Sequence, residues 1–141
     1  MKYFFPILLI ILSNTFYNIT AKATPSAANP LLSLFFTYIT AAGITVIALL
    51  FTGLSKPVLA SVGDLNWTSF ALAFAIIGLE LGYILAYRYG MPISIGSLIA
   101  NIGLAVVLVI VGVLFYREQF GVNQAVGIIL CLAGLFFLNR P

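Results

Sequence analysis

The chain has 141 residues, of which 63% are hydrophobic and only 6% charged, against roughly 25% charged in ordinary soluble domains. A water-soluble fold of this length leaves too much of its chain at the surface to hide such a composition, so the expected solvent is lipid. The net charge of +3 comes from basic residues spread singly; this excludes a nucleic-acid patch, and the lack of histidine and the single cysteine, Cys131, exclude a Ser-His-Asp triad, a histidine-held metal and an internal disulfide.

The fold class expected is an all-α integral membrane protein with five transmembrane helices in one domain over 1–141. A bilayer core of about 30 Å needs about 20 apolar residues per helix, and five segments approach that length. The first covers 3–20 and carries Ser13, Asn14, Tyr17 and Asn18, with the two asparagines at i and i+4. It has a rival reading. Met1-Lys2, an apolar run and Thr20-Ala21-Lys22-Ala23 also fit a secretory signal over 1–23, whose cleavage would leave four helices. The run continues past Asn14 to Ile19, longer than the 7–15 residues or so of a signal core, which favours a retained helix.

Asn29-Pro30 reads as an N-cap followed by proline at the first helical position. It opens the second segment, 30–52, which carries Thr37, Tyr38, Thr40 and Thr45. Gly53, Pro57, Gly63 and Asp64 mark the longest polar loop. The third segment is 67–87 and contains Glu80. Gly90 and Pro92 separate it from the fourth, 92–116, where Ser94, Ser97 and Asn101 share one face. Gly121 and Asn123 precede the fifth, 124–138. Trp67, Tyr87, Tyr89 and Tyr116 stand at segment ends, as in an interfacial aromatic belt. Gly78 and Gly82 form a GxxxG pair, and Gly127 and Gly134 share a face on the last helix. Such positions permit close helix approach within a chain or between chains. Hydroxyl and amide side chains either line a cavity or join helices; for the serines and threonines joining is expected, and for Asn14, Asn18 and Asn101 both readings stand.

Five spans put the termini on opposite sides. Lys2, Lys56 and Arg117 then face one side, and Lys22, Arg88 and Arg140 the other. The positive-inside rule needs a bias to orient a chain, and here there is none. Either a partner or the first helix sets the direction, or copies insert both ways and pair antiparallel.

Glu80 is the most informative residue. A charge at the centre of a bilayer costs at least about 2.5–3.5 kcal/mol, so it should face the bundle interior or a wet cavity. That makes Glu80 a candidate proton carrier or partner for a cation; the alternative is a pairing that only holds helices together. Tyr83 and Tyr87, at i+3 and i+7, share its face and could donate hydrogen bonds or stack on a cation.

Several stretches resemble a known family. Ala86-Tyr87-Arg88-Tyr89-Gly90-Met91-Pro92-Ile93-Ser94-Ile95-Gly96-Ser97, running into Phe115-Tyr116-Arg117-Glu118-Gln119-Phe120, resembles the second part of an EamA repeat of the drug/metabolite transporter superfamily. Glu118 holds an acidic position of that repeat, while Arg117 stands where glycine is usual. Gly127-Ile128-Ile129-Leu130-Cys131-Leu132-Ala133-Gly134-Leu135 is similar to the repeat's last helix. It is also similar to the final helix of small multidrug resistance proteins, in which that face mediates dimerisation. Asn14, Lys22 and Pro30 sit about where the repeat's first loop carries similar residues. Most members hold two such repeats and this chain holds one, so the resemblance implies a half-size member that must pair. The essential glutamate of small multidrug resistance proteins lies in their first helix. Here that helix has no acid, and Glu80 is nominated on physical grounds.

The expected function is secondary transport of a small metabolite or drug-like solute, cationic in one version, across the inner (cytoplasmic) membrane. The expected assembly is a proton-coupled dimer with its own copy, antiparallel in one version, or with a related half-size partner. Glu80, Tyr83, Tyr87, Asn14, Asn18 and Asn101 are the candidate solute- or proton-binding residues; Gly127, Gly134, Gly78 and Gly82 are the candidate dimer or helix-packing residues. Two alternatives stay open: a subunit of a lipid-linked substrate flippase, and a non-transporting accessory subunit. No cofactor, metal or nucleic acid is expected, and no nucleophile–base pair suggests an enzyme.

Overall fold

The computed structural model describes residues 4–53, 58–63, 65–119 and 121–138. Lys2, Lys56 and Arg140 of the charge comparison, together with Tyr3, Pro57, Asp64 and Phe120, lie outside the described residues. Six helices follow one another, with no strand among the described residues: α1 (Phe4–Ala23), α2 (Pro30–Thr52), α3 (Val58–Gly63), α4 (Trp67–Arg88), α5 (Ile93–Phe115) and α6 (Val122–Leu138). Four of them, α1, α2, α4 and α5, are long and apolar enough to cross a membrane. The fifth, α6, has 17 residues; at 1.5 Å per residue it spans about 25 Å, the short end of what a bilayer accepts. The chain is an all-α, multi-pass membrane protein.

Local chemistry accounts for the helix ends. The Asn29 side chain accepts from the backbone N–H groups of Leu31 (2.9 Å) and Leu32 (3.3 Å), which otherwise have no partner in the first turn. Pro30, next in line, lacks the N–H that this turn would leave unused. At the other end of α2, Gly53 adopts φ +71 and donates its N–H to Leu49 O at 2.9 Å; a side chain would resist that left-handed backbone. Tyr116 donates to Gly112 O and closes α5. Arg117 then turns left-handed, with φ +53.

The loop expected between the second and third spans contains a helix, α3. Its sequence, Val-Leu-Ala-Ser-Val-Gly, is more apolar than the Gly, Pro and Asp residues that mark the loop, and Pro57 directly precedes it. One and a half turns are too short for periodicity to reveal.

The residues fall into two units, Met1–Asn18 with Tyr89–Pro141, and Ile19–Arg88. In the second, α2 packs on α4, and Leu34, Ile84 and Tyr87 are buried. In the first, α5 packs on α6, and Gly96 and Gly112 are buried. Large apolar side chains elsewhere stay open: Phe51, Phe74 and Phe115 are 88%, 79% and 79% exposed. In water such a surface would aggregate; in lipid it needs no cover, because acyl chains are as apolar as the side chains.

Candidate functional site

Glu80 lies eight residues before the end of α4, and Tyr38 eight residues after the start of α2. At 1.5 Å per residue both are about 12 Å from their helix ends, so packing α2 on α4 brings them to one level. The Tyr38 hydroxyl is buried and interacts electrostatically with the Glu80 carboxylate, although it meets no acceptor at full hydrogen-bond geometry. Glu80 itself is half-buried. A carboxylate beside a phenol inside an apolar helix pair can hold a proton, or exchange the phenol's dipole for a cation.

Tyr83 and Tyr87 continue this face toward the end of α4, with ring centroids 5.8 Å apart and planes tilted by 35°. Tyr87 is 4% exposed. Lys22, in the last turn of α1, donates to the Tyr87 carbonyl at 3.3 Å and stands 5.7 Å from the centre of its ring. Arg88 reaches back across the α1–α2 connection. Its Nη2 donates to Pro25 O at 3.1 Å and also to Ala28 O. Two cations thus satisfy backbone carbonyls at one end of this unit, where helix C-termini and turns leave them exposed. They also place the end of α1 and the end of α4 on one side, as five alternating spans require.

The asparagines fall in the other unit. Asn18, 4% exposed, donates from Nδ2 to Asn14 O at 2.7 Å and to Asn14 Oδ1 at 2.8 Å. This pair links two polar side chains one turn apart on the same helix. Asn101 is exposed, donates to Ser97 Oγ at 3.2 Å, and lines a cleft of about 440 Å³ between α5 and α6. Glu118, Gln119, Gln124, Gly127 and Cys131 also line that cleft.

Two observations bear on the packing residues. Thr37, Thr40 and Thr45 donate to the carbonyls of Ser33, Phe36 and Ala41, four residues back in their own helix. They are satisfied without a neighbouring helix and need not join one to another. At Gly78, Gly82, Gly127 and Gly134 an added Cβ would meet nothing within 4 Å. No neighbour among the described residues uses the close approach that these glycines permit. Gly112 is crowded: a Cβ there would lie 2.5 Å from Glu118 Oε2, whose carboxylate folds back over it.

Sequence reasoning missed Tyr38 as the neighbour of Glu80. It stood among the threonines of α2 as one more polar residue. The available signal was depth, since both residues lie equally far from helix ends on the same side.

The EamA-like transporter family matches residues 1–140 of the chain. Neither a curated protein nor a solved structure matches it. One repeat-length match over nearly the whole chain, on apolar helices long enough to cross a bilayer, makes this protein a member of the EamA-like transporter family and a membrane transporter of the drug/metabolite superfamily.

Proposed function

We propose that the protein is half of a proton-coupled secondary transporter in the cytoplasmic membrane, and that two copies assemble to form the pathway. The observation that carries this reading is Glu80, an acid in the middle of α4 beside the buried Tyr38 hydroxyl. Lipid tolerates such a group only where it is used or paired, and Tyr38 is a neutral partner that leaves the carboxylate's charge uncompensated. Glu80 alternately holds a proton and a small cationic solute. Tyr83 offers the solute its ring face, and the buried Tyr87 ring backs it.

The dimer is inferred from stoichiometry of parts. Residues 1–140 resemble a single EamA repeat, and alternating access works by moving one repeat against another around a midplane site. The open glycine faces of α4 and α6 leave room for a second copy to approach. The even distribution of basic residues, three to each side, suits copies inserted in both orientations.

The test is ethidium uptake into proteoliposomes under an imposed pH gradient. The native protein accumulates the dye as a function of the gradient. Glu80→Gln, nearly equal in volume and unable to ionise, inserts and purifies normally but loses gradient-driven uptake. Full uptake by Glu80→Gln overturns the assignment.

A further inference from the structure

We propose that the cleft between α5 and α6 binds one bilayer phospholipid carrying a primary-ammonium headgroup, of the phosphatidylethanolamine type. The inference is independent of Glu80 and of the transport cycle. The cleft lies wholly within the packed α5–α6 pair, and its volume of about 440 Å³ falls in the usual range for small-molecule sites, roughly 300–1,000 Å³. Along α5 its wall is the row Asn101, Ala105, Val109 and Val113. Residues spaced by four make one stripe, here about 18 Å long. That is close to the depth of one leaflet, half of the roughly 30 Å core. Ile128 supplies apolar surface from α6, and Gly127 beside it leaves the wall open where a side chain would fill it.

The carboxylate and both glutamine amides gather at one end, while Asn101 stands at the other. Glu118, Gln119 and Gln124 all come from the α5–α6 turn or the first turn of α6, which is the membrane edge. An apolar trough of leaflet depth capped by polar groups at the interface has the layout of a lipid, tail inward and headgroup outward. The headgroup follows from charge. Glu118 is an acceptor for an ammonium, and a primary ammonium can donate to it as a quaternary one cannot. The next residue, Arg117, is an exposed cation outside the lining of the cleft, and its charge complements the phosphate. Adjacent opposite charges match a zwitterionic headgroup better than a singly anionic one.

The experiment reconstitutes the full chain in nanodiscs holding equal parts of phosphatidylethanolamine, phosphatidylcholine and phosphatidylglycerol with identical acyl chains. Native mass spectrometry then counts the lipids retained on release. The native chain should keep phosphatidylethanolamine about fivefold over either competitor. Glu118→Gln should bring the three near parity while total retention persists. Ala105→Trp, which fills the trough, should lose retained lipid of every headgroup. Val109→Phe, a milder filling, serves the same purpose should the tryptophan prevent insertion. Retention unchanged by both filling variants overturns the proposal, as does a headgroup preference that Glu118→Gln does not move. So does a loss of dimer mass on filling the trough, which would make the cleft a contact between copies.

Discussion

Replacing Arg88 by methionine keeps an apolar stem of similar length and removes the guanidinium. Two bonds are then lost, to Pro25 O and to Ala28 O. A hydrogen bond to a charged group contributes roughly 1.5–3 kcal/mol when well shielded. The bond to Pro25 is exposed and the one to Ala28 part-buried, so water replaces much of the first and less of the second. A basic side chain in the last turn of α4 adds about 0.3–1 kcal/mol through the helix dipole. The sum is a loss of about 2–3 kcal/mol. The assay is reversible unfolding in mixed micelles, followed by circular dichroism. Arg88→Lys should recover about half of the loss, since the shorter lysine stem carries a more strongly hydrated ammonium that gives up more water to reach the same two carbonyls. Lys22→Met should cost less, about 0.5–1 kcal/mol, because its contact with the Tyr87 carbonyl is longer, at 3.3 Å. A methionine variant within about 0.5 kcal/mol of the native protein would refute the idea that Arg88 ties the α1–α2 connection to α4.

The same unfolding measurement checks two further outcomes. Asn29→Ala leaves the N–H groups of Leu31 and Leu32 without their acceptor and should cost about 1 kcal/mol. Arg117 holds φ +53, a conformation that costs a side-chain-bearing residue about 1–2 kcal/mol. Arg117→Gly removes that strain and adds about 0.4–1 kcal/mol of unfolded-chain entropy. The net should be a gain of up to about 1 kcal/mol, whereas Arg117→Val should lose stability.

The spans are legible in the sequence because lipid demands one thing of every residue in them. A run such as 102–115 is apolar all round, and no packing detail alters that. The start of α2 is legible for a related reason, since asparagine before proline is local chemistry and Asn29 caps the helix as that chemistry dictates. Arg117 is half-legible. The family resemblance puts a glycine at its position, and the left-handed backbone there explains why glycine is usual. What connects elements is not legible. Nothing in the sequence marks Pro25 O or Ala28 O as acceptors for Arg88, because every residue carries a carbonyl. Nothing pairs Tyr38 with Glu80 except equal depth, which matters only once α2 is known to pack on α4. The donor side of the threonines is not legible either: Thr37, Thr40 and Thr45 turn their hydroxyl protons to carbonyls four residues back in their own helix.

The central claim is that one chain is half of a transporter and that each copy contributes its Glu80. Mixing native protein with Glu80→Gln before reconstitution, at constant total protein, tests it most directly. If a working pathway needs two native copies, an equal mixture keeps about one quarter of the gradient-driven ethidium uptake, the share of all-native dimers. If uptake instead falls in proportion to the native fraction, to about one half, each chain works alone and the account is contradicted.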